Sequence, residues 1–207
     1  ATIINKGGSG SAGTVNRAGG GKTFFFDSST AGSATITNNA GSAAFQAGGG
    51  ETFFFDSSTA GSAMITNNGS AVGTENDAGP GETVFTDSST AGNATIINNG
   101  GMASGAIGGI TGFVAGSSVG NSTIINNGGT VSGAFGGNTQ FSNSSTVGDA
   151  TIINNGGTAS GAFGGNTVIT NGAAVGSSLT ITNNGGTASG AFGGVTGFNF
   201  STVGDVT

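Results

Sequence analysis

Residues 122–149 read STIINNGGTVSGAFGGNTQFSNSSTVGD, and residues 150–178 read ATIINNGGTASGAFGGNTVITNGAAVGSS. The second stretch nearly copies the first, and internal repetition decides the fold before any single residue does. The anchor, ATIINN or a close variant, begins at Ala1, Ala34, Ala63, Ala94, Ser122, Ala150 and Leu179. It divides the chain into units 1–33, 34–62, 63–93, 94–121, 122–149, 150–178 and 179–207. The longer units carry their extra residues between the anchor and a TFFF-type segment, as loop insertions into a stacked fold do.

Each unit holds three short segments rich in Thr, Ile, Val and Phe, punctuated by NNGG, GG and SSTAG-type sequences. β-Branched and aromatic residues favour strands, and Gly and Asn interrupt them. Segments this short, among so many glycines, make poor helices. Alternation then assigns the faces. Ile3, Ile36, Ile65, Ile96, Ile124, Ile152 and Ile181 hold the central anchor position and are expected inside. Their neighbours are expected outside: Thr2, Thr35, Met64, Thr95, Thr123, Thr151 and Thr180 on one side, Ile4, Thr37, Thr66, Ile97, Ile125, Ile153 and Thr182 on the other. In the last segment the inward position falls to Phe25, Phe54, Phe85, Phe113, Phe141, Ile169 and Phe198. The middle segment is expected to add Phe45, Phe135, Phe163 and Phe192 to the interior.

One unit alone cannot bury an Ile and one or two Phe. Stacked in register at the strand spacing of about 4.8 Å, each such side chain covers the one below it. Burial of an Ile or Phe contributes roughly 1.5–3 kcal/mol, which must offset the ordering of nearly thirty residues, so isolated coils should not fold. The expected fold is therefore all-β: a single parallel β-solenoid (β-helix) over 1–207, with seven coils of 28–33 residues and three short strands each. Right-handed winding is the general expectation for parallel crossovers. Asn5, Asn38, Asn67, Asn98, Asn126, Asn154 and Asn183 end the first strand and are expected to form an amide ladder along the axis. The next position holds Lys6, then Asn39, Asn68, Asn99, Asn127, Asn155 and Asn184. Asn tolerates the left-handed backbone region that a corner requires.

Composition removes whole chemistries. The chain has 46 glycines, one proline and no Cys, His, Trp or Tyr, so a Ser–His–Asp triad, a thiol nucleophile and an ordinary zinc site are all excluded. Three basic residues, Lys6, Arg17 and Lys22, lie near the start, and a net charge of −6 makes nucleic acid a poor partner. No apolar run is long enough to cross a bilayer, and no basic-then-apolar signal segment opens the chain. Because it begins and ends inside a repeat, the chain is expected to be a slice of a longer protein.

The alternation of SSTAGSATITNN (28–39) with GGGETFFFDSSTAG (48–61) resembles the β-strand repeats of large bacterial surface proteins. In particular it is similar to autotransporter-type passenger regions and related secreted adhesins. The resemblance spans all units, most strongly 23–68 and 122–190. It implies a secreted β-helix at the cell surface. It transfers no functional residue, because the recurring motif is structural.

Four groups of residues are candidates for more than structure. Asp27, Asp56 and Asp87 occupy equivalent positions. Carboxylates at strand spacing can share calcium, but Asp-Ser-Ser also starts turns. Ala115, Asn143, Asn171 and Phe200 follow in that column, which favours the turn and no cofactor. Glu51, Glu75, Asp77 and Glu82 cluster in the variable region and read as solvated loop rather than as a catalytic pair, since the required partners are missing. The outward Thr column makes ice or glycan binding the alternative function, although only Thr35–Thr37 and Thr180–Thr182 give two threonines in one row. Finally, Phe24, Phe26, Phe53 and Phe55 point outward as a contact patch. Expected partners are further copies, end to end or laterally, and a host or environmental surface. The expected function is that of a structural or adhesive extracellular filament, not an enzyme.

Overall fold

The computed structural model describes residues 1–9, 18–42, 47–73, 78–170 and 172–199. The described residues contain strands and turns and no helix. Two parallel sheets carry the fold. The first is built from Thr2–Asn5, Thr35–Asn38, Met64–Asn67, Thr95–Asn98, Thr123–Asn126, Thr151–Asn154 and Thr180–Asn183 in that spatial order. The second is built from Lys22–Phe25, Glu51–Phe54, Glu82–Phe85, Ile110–Phe113, Asn138–Phe141, Asn166–Thr170 and Val195–Asn199. The chain visits the sheets alternately, so it winds as a β-solenoid. Seven successive strands in a sheet delimit six complete turns. Equivalent residues pair without a slip: Ile3 with Ile36, Ile65 with Ile96, Asn98 with Asn126, Phe85 with Phe113.

The third side is not where the sequence places it. The middle segment, TVSGAF in 130–135, forms bends and a turn rather than a strand. The SSTAG punctuation supplies the third side instead, through single bridges Thr30–Thr59, Thr59–Thr90, Thr90–Ser118 and Ser118–Thr146. It lengthens into two-residue strands only at Thr146–Val147 and Ala174–Val175. The middle segment is an arm that leaves the corner after the Asn pair and returns to the second sheet. Its base is closed by Gly137 N–H donating to the Asn127 carbonyl at 2.7 Å, and by the same bond from Gly109 to Asn99 and from Gly165 to Asn155. Ala106, Ala134 and Ala162 fill the arm, at most 1% exposed. A Cβ on Gly129 would already meet Ala134 backbone oxygen at 2.3 Å. Nothing larger than alanine fits there, so Phe135, Phe163 and Phe192 are turned out to solvent, contrary to expectation. Phe45 lies outside the described residues.

Inside, each winding contributes the same cross-section. Ile36, Ile65, Ile96, Ile124 and Ile152 are fully buried in one column. Phe54, Phe85, Phe113 and Phe141 form the facing column, with rings nearly parallel and centroids 4.6–4.9 Å apart. Ile169 continues that column. On the third side Ala60 and Ala91 give way to Val119 and Val147. Among the described residues the first and last windings are covered on one side alone: Ile3, Phe25 and Ile181 are half-buried. Phe198, expected in the core, is 47% exposed for the same reason.

The left-handed residues also sit elsewhere than expected. Neither the second Asn of each NN pair nor the glycines after it have positive φ. Asp27, Asp56, Asp87, Ala115 and Asn143 do, at 51–59°, at the corner after the second sheet. The NNGG glycines serve close approach instead. A Cβ on Gly128 would lie 2.2 Å from the Gly156 carbonyl oxygen of the next winding.

Ser29, Ser58, Ser89, Ser117 and Ser145 hold equivalent positions in successive windings, and their buried hydroxyls have no hydrogen-bond partner. In the sixth unit Ala173 takes that place and is 1% exposed. An unpartnered buried hydroxyl costs roughly 1–3 kcal/mol. Urea unfolding should therefore find Ser89→Ala more stable by about 1 kcal/mol. Ile124→Ala should lose about 2–5 kcal/mol, and its outward neighbour Ile125→Ala much less. In the same assay Gly128→Ala should be strongly destabilising. Gly112→Ala should be near neutral, because a Cβ there meets nothing within 4 Å.

Candidate functional site

The polar half of the interior is a single network. Each Asn that ends a first-sheet strand donates its amide to the Oδ1 of the Asn in the next winding. The six bonds, Asn5 to Asn38 through Asn154 to Asn183, are all 2.8 Å. Each Oδ1 also accepts from a threonine at the second position of the facing strand: Thr52 to Asn38, Thr83 to Asn67, Thr111 to Asn98 and Thr139 to Asn126, each at 2.9 Å. The amide reaches backbone carbonyl oxygens as well, such as Asn38 to Glu82 at 2.9 Å. Asn38 through Asn154 and Thr52 through Thr167 are fully buried. The Asn ladder was legible in the sequence, but its threonine partners were not singled out. The signal was present, since every second-sheet strand has Thr two residues before the inward Phe or Ile.

The outer face of the first sheet carries the columns Thr2 to Thr180 and Ile4 to Thr182. Thr95 and Thr123 are half-buried, whereas Thr35, Met64 and Thr151 are exposed. The outer face of the second sheet carries the Phe cluster. Phe24 stacks on Phe53 at 5.3 Å and Phe26 on Phe55 at 5.1 Å. Phe24 and Phe26 are 48% and 52% exposed, while Phe53 and Phe55 are only half-buried rather than fully open. The rings stack along the axis, so the cluster presents mainly edges outward. A second stripe follows on the arms, where Phe135, Phe163 and Phe192 stack at 4.9 Å.

Glu51 and Glu82 are not in a loop, as the sequence reading had them, but open two adjacent second-sheet strands in register. Glu75 and Asp77 lie outside the described residues. Lys22 pairs with Glu51 and lies 5.4 Å from the Phe53 ring centroid. Burial, then the neighbouring Glu51 charge, pushes the Glu82 carboxyl above its ordinary value, and Lys22 only partly opposes this. Asp27, Asp56 and Asp87 are exposed and left-handed at their turns. The Asp27 backbone N–H donates to Asp56 Oδ2 at 3.0 Å, and that of Asp56 to Asp87 Oδ2 at 3.4 Å. These carboxylates thus tie one turn to the next. Among the described residues no three His, Cys, Asp or Glu side chains gather to hold a metal ion.

No protein-family model, curated protein or solved structure matches this chain. What is established is the β-solenoid repeat architecture.

Glu82 gives a pH test. A carboxyl that holds its proton more tightly folded than unfolded contributes stability below its unfolded pKa and loses it as pH rises through the folded value. Thermal melts should therefore show Glu82→Gln more stable than the parent at about pH 7, with the gain vanishing well below the ordinary carboxylate range.

Proposed function

We propose that this chain is a structural or adhesive stretch of an extracellular, bacterial cell-surface protein, a stacked-repeat filament that does no catalysis. Its build is that of the passenger regions of autotransporter-type adhesins. The observation that carries the reading is the uninterrupted stack. Equivalent residues pair across every described interval of both sheets. The flanks of the later windings are almost uncharged, with Asp149 the one ionisable side chain in residues 88–199. A neutral flank offers little repulsion to other copies. Carried on such a rod, the Phe24–Phe55 cluster and the arm stripe are lateral contact surfaces.

A second reading rests on the outer face of the first sheet, whose two columns of Thr and Ile stand in register. Such a face can order water or meet a crystalline surface, so ice binding is the competing function. Electron microscopy and light scattering of the purified chain decide between them. Thin uniform fibres and scattering that grows with concentration support the filament. A monomer at every concentration, with thermal hysteresis in the same sample, contradicts it.

A further inference from the structure

A second amide ladder runs beside the buried one, nearer the surface. Asn68 donates to Asn39 Oδ1 at 2.9 Å, Asn99 to Asn68, Asn127 to Asn99 and Asn155 to Asn127 at the same distance, and Asn184 to Asn155 at 2.8 Å. Its bonds run backwards along the chain, opposite to those of the inner ladder. A primary amide has two N–H groups. The inner ladder uses its surplus on Thr hydroxyls and carbonyls across the interior. The outer ladder has no such acceptor among the described residues. Its amides, half-buried from Asn68 to Asn155, keep an N–H to offer at every rung.

These amides form one wall of a groove of about 650 Å³ that runs along the axis over five windings. The floor is backbone: Gly69, Gly100, Gly128, Gly156 and Gly185. Between windings it is crowded, since a Cβ on Gly100 would lie 2.2 Å from the Gly128 oxygen and one on Gly156 2.3 Å from that of Gly185. In the second winding Ala40 stands at the floor position, and the groove lining begins only at Asn68 and Gly69. The far wall is Met102 followed by the exposed residues Thr130, Thr158 and Thr187, whose hydroxyls donate to the Gly101, Gly129 and Gly157 carbonyls and keep lone pairs with which to accept.

We infer that this groove binds a neutral polysaccharide chain lying along the solenoid axis, one sugar ring to a winding. This deepens the adhesive reading above and rests on it. Three observations select the ligand. No charged side chain lines the groove, so it has no means to neutralise a polyanion or a polycation. Its polar groups are amide N–H donors and threonine hydroxyl oxygens that accept, which suit sugar hydroxyls and ring oxygens. The glycine floor carries no side chain, which leaves room for a ring at each winding. Spacing argues against an extended peptide. Arm rings in the same windings repeat every 4.9 Å, whereas a strand presents groups to one side about every 6.7 Å and falls out of step.

The test is calorimetric titration of the intact chain with cello-oligosaccharides of two to six units, with maltohexaose as a curved neutral control and oligogalacturonate as a charged one. Affinity should rise with length by about tenfold or more between the shortest and the five-unit chain, then level off. T130F/T158F, which fills the groove from an exposed wall, should weaken binding of the longest chain by about tenfold or more while the chain still melts in one cooperative transition. T123A/T151A, on the outer face of the first sheet, should leave it unaltered. Absence of saturable binding, affinity independent of length, preference for the charged or curved chain, or binding that survives T130F/T158F overturns the groove. Loss of binding in T123A/T151A moves the contact to the sheet face and also overturns it. Fibre formation is scored separately by microscopy, so fibres without sugar binding refute the groove and leave the filament reading standing.

Discussion

The buried Asn–Thr network is the constraint on which the rest of the stack depends. Apolar burial alone is non-directional and does not dictate which side chain must face which. A buried amide does, because each unpaired N–H or C=O inside a protein costs about 1–3 kcal/mol. Asn98 has five partners to satisfy at once: Asn67 in the preceding winding, Asn126 in the next, and Thr111, Thr139 and the Asn138 carbonyl across the interior. One geometry meets all of them. A slip by a single residue would also turn every inward side chain outward. The network therefore fixes register, and register lets the Ile and Phe columns exclude water.

The outer features are consequences of that register. Turns with the same sequence must lie directly over each other, so their backbones come into contact and the NNGG corner takes glycine in all but two places, Ala40 and Ser70. The arm that starts there is too narrow for anything but alanine inside, so its Phe faces solvent. The tight stacking that removes side chains from the corner leaves a bare channel between the outer Asn amides and the Thr wall. Charge is concentrated at the early windings, where Lys22, Glu51 and Glu82 share one surface column.

Much of this was legible in the sequence. Two-residue alternation around Ile36 or Ile124 assigns inside and outside correctly, because a strand side chain has only two directions to take. The Phe54 to Phe141 column follows from the same rule. The rule fails in the arm, since it reads TVSGAF as a strand when its glycines and tight closure make it a turn. Phe135 was therefore placed inside, although Ala134 beside it is the residue that packs. The left-handed corner was likewise assigned to the NN pair, while the chain puts it at Asp56 and its equivalents, where the side chain bonds a neighbouring backbone N–H. Steric limits set by an adjacent winding cannot be read from one repeat. The Asp column, the Gly floor and the groove all arise from contacts between windings.

Side-chain amide NMR of Asn67, Asn98 and Asn126 tests the central claim most directly. In-register stacking predicts that these N–H protons exchange with water very slowly and show contacts from each Asn to its equivalents one winding above and below. Rapid exchange typical of exposed amides, or contacts that skip or mismatch windings, would contradict it.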